Sequence, residues 1–109
     1  MDQKLYAQHV KAVAKPGKRD ELIRFLEQTA NRFLTNSPHC LQYLIGTTEE
    51  PDSVWVLELW TSKKAKDDDP TNLINMSPED RDQIQSQFAP LIVSMTDRIG
   101  MTIVGGKGI

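Results

Sequence analysis

The sequence predicts an α+β chain: a four-stranded antiparallel sheet with helices laid across one of its faces. Three observations carry that expectation. Runs rich in strand formers alternate with helix-periodic segments in the order strand, helix, strand, strand, helix, strand. The 109 residues fall in the ordinary size range of one domain, with no shift of composition along them, and the core is expected over about Leu5 to Val104. In the third strand, Trp55, Leu57 and Leu59 alternate with Val54, Val56 and Trp60, so neither side of it suits water.

The first strand fits Leu5 to Val13 and stops at Lys15-Pro16-Gly17, a fixed φ followed by a permissive residue. Leu22, Ile23, Leu26, Ala30, Phe33 and Leu34 then recur every three or four residues. Asp20 and Glu21 complement the positive end of this first helix, which should stop before Asn36-Ser37-Pro38. A second strand fits Cys40 to Gly46 and a third fits Ser53 to Thr61, joined by a polar, Pro-containing loop that makes them antiparallel neighbours.

Thr61 to Ala65 could open a short helix, but Asp67-Asp68-Asp69-Pro70 reads as a solvated loop without the ligand spacing of a calcium site. Ser77-Pro78-Glu79-Asp80 is a stronger start signal, with a hydroxyl cap, Pro at the first helical position and a carboxylate three residues on. Ile84, Phe88, Leu91, Ile92 and Met95 give that second long helix its apolar stripe, kinked or divided at Pro90. A last strand is expected from Arg98 to Val104, before a flexible tail at residues 105–109.

This order is the split β-α-β, or ferredoxin-like, arrangement, in which helices cover one sheet face and leave the other bare. An apolar bare face implies closure against a second copy, most simply a two-fold homodimer. A net charge of -2 with scattered Lys and Arg gives no footprint for nucleic acid or an acidic lipid surface. No apolar run is long enough to span a membrane, and Met1-Asp2-Gln3-Lys4 lacks the pattern of a secretory signal, so the chain is expected in the cytoplasm. The single cysteine, Cys40, reads as a small buried apolar group. His9, His39 and Cys40 lack metal-site spacing, and no metal is expected.

The segments Lys15 to Leu22, His39 to Tyr43 and Val54 to Ala65 resemble the antibiotic biosynthesis monooxygenase (ABM) family. The most specific piece is Glu58-Leu59-Trp60 followed by Ser62-Lys63-Lys64-Ala65, and the resemblance runs over about Leu5 to Val104. It implies a dimeric α+β barrel with a ligand cavity between each subunit's own sheet and helices. It also implies kinship with cofactor-independent oxygenases of quinols and polycyclic phenols, and with haem-degrading enzymes. The histidine that serves haem-degrading relatives as axial ligand is replaced here by Lys66 to Pro70, so the resemblance does not extend to haem.

Trp60 resembles the family's pocket tryptophan, where an indole could stack on an aromatic substrate and donate one hydrogen bond. His9 lies eight residues before Gly17, where haem-degrading relatives carry a pocket asparagine, and is the candidate base for a phenolic substrate. Glu58 shares strand parity with Trp60 and could face a ligand or pair with Arg98, while Tyr43 could donate its hydroxyl. Phe33, Phe88, Ile92 and Met95 read as helix faces packed on the sheet, able to line the cavity. With these residues, the resemblance implies a monooxygenase that lets a deprotonated quinol or phenol react with O2 without flavin or metal. The alternative is a non-catalytic ligand-binding or stress-response dimer of the same fold.

Overall fold

A computed structural model describes residues 4–108, apart from the side chain of Leu73. Met1 to Gln3 and the last residue of the expected flexible tail, Ile109, lie outside the described residues. Four strands, β1 (Tyr6–Ala14), β2 (Cys40–Thr47), β3 (Ser53–Trp60) and β4 (Ile92–Thr102), form one antiparallel sheet in the order β2-β3-β1-β4. The helices are α1 (Arg19–Phe33), α2 (Lys63–Asp68) and α3 (Pro78–Phe88), with short 3-10 turns at Leu73–Asn75 and Ala89–Leu91. This is the expected α+β, ferredoxin-like fold.

The register fixes which residues share a face. Val10 pairs with Val56 and Ala12 with Val54, and all four are buried beneath the helices. Leu22 and Leu26 of α1 close that core, and Leu22 and Val54 are fully buried, each worth about 2 kcal/mol of apolar transfer. The small residues Ala12 and Ala14 let α1 approach the sheet. On the opposite face stand His9, Trp55, Leu57 and Ile99, with Leu57 44% and Ile99 48% exposed. A shortest dimension of 20 Å matches one sheet plus one helix layer, which leaves this second face bare.

Four expectations are corrected. The second long helix does not reach Met95: α3 ends at Phe88, and Ile92 and Met95 belong to β4. Pro90 has no N–H to continue a helix, and the residues after it complete the sheet along the open edge of β1 instead. The last strand therefore begins at Ile92, six positions before the expected Arg98. The acidic stretch is not a solvated loop. Asp67 and Asp68 end α2, where they pair with Lys63 and Lys64 at helical spacing, and Ser62 caps its start by accepting from the Ala65 N–H. Asp69 is only 5% exposed and accepts from the hydroxyls of Ser37 and Thr71 and from the Thr71 N–H. Cys40 is only partly buried, on an edge strand; burial, aided by the nearby charges of Glu58 and Asp69, pushes its thiol up to about 11. The start of α3 follows expectation, with Ser77 accepting from the Asp80 N–H at 3.2 Å and Pro78 in the first turn.

Candidate functional site

The cavity grows out of the inner face of β3. Trp60 and Glu58 project from the same side of that strand, and the Trp60 indole N–H donates to Glu58 Oε1 at 3.0 Å. Across the sheet, Glu58 is paired with Gln8 of β1 and with Tyr43 of β2. The Tyr43 hydroxyl is held well above its usual range, first by burial and then by the Glu58 charge, so it stays a protonated donor.

Two hollows meet here, of about 250 Å³ and about 420 Å³, sharing Tyr43, Glu58, Thr71 and Arg98. The first runs under α1 and α3 and is walled by Phe25, Phe33, Phe88 and Met95, with the Phe25 and Phe88 rings 5.6 Å apart. The second is polar and is completed by Gln8, Trp60 and Lys66. One continuous site thus has an aromatic end and a hydrogen-bonding end, the usual build of a small-molecule pocket. A larger outer groove, about 590 Å³, lies between the loop after α1 and α2. Its Asp69 is already satisfied by Ser37 and Thr71, and its His39 Nδ1 lies 3.1 Å from Thr61 Oγ1.

Six of the residues singled out in the sequence meet in this cavity: Tyr43, Glu58, Phe33, Phe88 and Met95, and Trp60 at its polar end. Ile92 instead packs against the core at the start of β4. His9 is on the other side of the sheet, paired with Leu57 and Ile99 and with its ring 5.5 Å from that of Trp55. It therefore does not share the cavity with Trp60 of its own chain. Among the described residues Glu58 forms no ion pair with Arg98; its partner is the Trp60 indole.

Gln8 and Arg98 were missed as cavity residues. Gln8 has the parity of Val10, Ala12 and Ala14, and that shared parity was the available signal. Arg98 owes its position to a bulge. Lys11 pairs with Thr96 and His9 with Ile99, so Val10 faces two residues, Asp97 and Arg98, where regular pairing has one. Asp97 adopts φ 52, a left-handed conformation, and the bulge sends Arg98 to the cavity side while Ile99 returns to the outer face. Nothing in the local sequence announces this.

A family profile described as antibiotic biosynthesis monooxygenase matches residues 5–68, which carry Gln8, Tyr43, Glu58 and Trp60. The chain belongs to the ABM family. Its fold is similar to that of a candidate antibiotic biosynthesis monooxygenase from Chloroflexus aurantiacus, with 28% identity, 96% of this chain and 98% of that one covered, and a TM-score of 0.73. It is also similar to candidate members from Caulobacter crescentus (18% identity, 94% and 92% covered, TM-score 0.74) and from Bacteroides thetaiotaomicron (13% identity, 95% and 93% covered, TM-score 0.70). At those identities the last two speak for the fold alone. No significant match was found among curated proteins. Within this ABM chain no helix of the described residues is long and apolar enough to cross a membrane.

Proposed function

We propose that this ABM chain is a cofactor-independent monooxygenase of a quinol or other phenolic aromatic, working as a homodimer in the cytoplasm. The observation that carries the reading is the single cavity in which a proton acceptor, Glu58, and a flat indole, Trp60, stand beside an aromatic-walled hollow. Glu58 uses one carboxylate oxygen on the indole, and the other has no partner among the described residues. It is therefore better placed than His9 to accept a phenolic proton. The ionised substrate is the reductant: its carbon bonds to O2, the peroxide takes up a proton, and loss of water leaves a new carbonyl. One quinol and one O2 thus give one hydroxyquinone and one water, with all electrons drawn from the quinol. The protein's part is deprotonation, positioning and exclusion of bulk water. Oxygen as sole co-substrate, without metal or flavin, belongs to the same proposal.

The homodimer rests on the bare sheet face. Leu44, Leu57, Ile99 and Met101 each stay more than two-fifths exposed on a face that the chain's own helices do not reach. A second copy laid sheet to sheet would bury them.

Oxygen uptake tests the reading. Purified protein under air with a panel of quinols should show saturable uptake that falls in Glu58→Gln and Trp60→Phe. Uptake kept in His9→Ala but lost in Glu58→Gln assigns the proton acceptor to Glu58. No protein-dependent uptake across the panel would reject the oxygenase. The second reading, a ligand-binding dimer without chemistry, is favoured by one observation: no histidine lines the cavity. Saturable binding without uptake would establish it.

A further inference from the structure

The polar end of the cavity carries an imbalance of charge. Two cations, Lys66 and Arg98, line it against one carboxylate, Glu58. Neither cation enters an ion pair among the described residues, although the neighbouring Lys63, Lys64 and Lys11 all do. The carboxylates next to Lys66 along the chain are committed elsewhere, Asp67 to Lys63 at 2.7 Å, Asp68 to Lys64, and Asp69 to Ser37 and Thr71. The uncharged groups around Arg98 add donors. Tyr43 keeps its proton, and Gln8, only 7% exposed, forms no hydrogen bond among the described residues and lines the hollow with its carboxamide unused. Arg98 itself is aimed here by the bulge at Asp97, whose left-handed backbone is unfavourable for a residue other than glycine. It also lies beyond residues 5–68, so the family match does not account for it.

We infer that the cavity takes an aromatic oxyanion, with the ring against the Phe33 and Phe88 wall and a carboxylate or ionised phenol oxygen on Arg98. This deepens the proposed function and rests on the cavity being its ligand site. Guanidinium suits the task because it is always charged and offers paired donors to a planar oxyanion. Lys66 adds a second, mobile charge at the same end, and Gln8 and Tyr43 supply neutral hydrogen bonds. Where the oxyanion is the substrate's own phenol oxygen, Arg98 would favour the ionised form that Glu58 generates.

Calorimetric titration of the full chain with naphthoate, naphthol and para-nitrophenol tests this and separates the two sources. Naphthoate should bind at least about tenfold more tightly than naphthol, the margin of one charge-assisted hydrogen bond. Arg98→Met should abolish that margin, with naphthoate losing at least about tenfold more affinity than naphthol, and Arg98→Lys should restore part of it; Arg98→Gln serves if the methionine variant does not fold. If an ionised phenol is also accepted, para-nitrophenol should turn yellow on binding below its own pKa in the wild type and not in Arg98→Met. Equal binding of naphthoate and naphthol, a margin that survives Arg98→Met, or no binding of any probe would each overturn the inference. Oxygen uptake is read separately. Arg98-dependent naphthoate binding without quinol-driven uptake rejects the oxygenase alone, whereas uptake without any charge preference rejects the oxyanion site alone.

Discussion

The Trp60 indole N–H and Glu58 Oε1 are joined by a 3.0 Å hydrogen bond between residues two apart on one strand, so the indole and the carboxylate at the polar end of the cavity hold each other in place. Trp60 is 2% exposed and its N–H needs a partner; Glu58 is partly buried and needs a donor. Each therefore sets the other's orientation.

Breaking this pair should separate stability from chemistry. Trp60→Phe removes the donor and part of a buried ring, and is expected to cost about 2–3 kcal/mol in urea unfolding. Glu58→Gln keeps an acceptor oxygen for the indole and should cost less than about 1 kcal/mol. It should nevertheless lower quinol-driven oxygen uptake by about 100-fold or more, the usual loss with a general base. A Glu58→Gln variant with full uptake would remove Glu58 from the chemistry.

The outer sheet face predicts an assembly defect. Leu57, central on that face and paired with His9, should tolerate Glu in a monomer but not against a second copy. Leu57→Glu is expected to sediment as a monomer where the wild type sediments as a dimer. Ile74→Glu, in the 3-10 turn at Leu73–Asn75 and 77% exposed, is the control and should leave the dimer intact. A monomeric wild type would contradict the proposed closure.

Asp69 predicts a pH dependence. Burial pulls its pKa upward, but hydrogen bonds from Ser37 and Thr71 and the nearby His39 outweigh this and hold it below its ordinary 3.8. A carboxyl with a lowered folded pKa binds fewer protons folded than unfolded. Its stabilisation is complete above the unfolded value and is lost as pH falls through the folded one. Asp69→Asn should therefore melt below the wild type at neutral pH, with the gap closing as the pH is taken progressively below the ordinary 3.8. A gap independent of pH would mean that the ionised form is not what Ser37 and Thr71 hold.

The bulge can be tested through its backbone. With φ 52 at Asp97, glycine should fit at least as well as Asp, whereas a β-branched residue is strained there. Asp97→Gly is expected to unfold within about 1 kcal/mol of the wild type and Asp97→Val about 1–2 kcal/mol lower. If Asp97→Val instead straightens the strand, Arg98 leaves the cavity and naphthoate binding falls with it.

The element order was legible because each element carries a local signature. The Ser77-Pro78 cap starts α3 where the residue types place it, and the Pro16-Gly17 turn ends β1 within one residue of expectation. Trp60 was found through the family resemblance, and Glu58 joined it because strand parity is a local property, so that β3 alone establishes that they share a side. Ile92 to Met95 misled because apolar residues at those spacings fit one stripe of a helix as well as a strand. The open edge of β1, a long-range partner, decided between the two.

By itself the sequence determined the α+β class, the order of the elements, the side shared by Glu58 and Trp60, and the family resemblance. Only the tertiary structure decided which side of β1 faces the helices, and so sent Gln8 into the cavity and His9 out of it. It alone revealed the bulge that turns Arg98 inward. Alternation along one strand says which residues stand together, but whether that set lies under the helices depends on the register with distant strands. That register is set by backbone hydrogen bonds across the whole sheet, and one extra residue in β4 reverses the alternation beyond it.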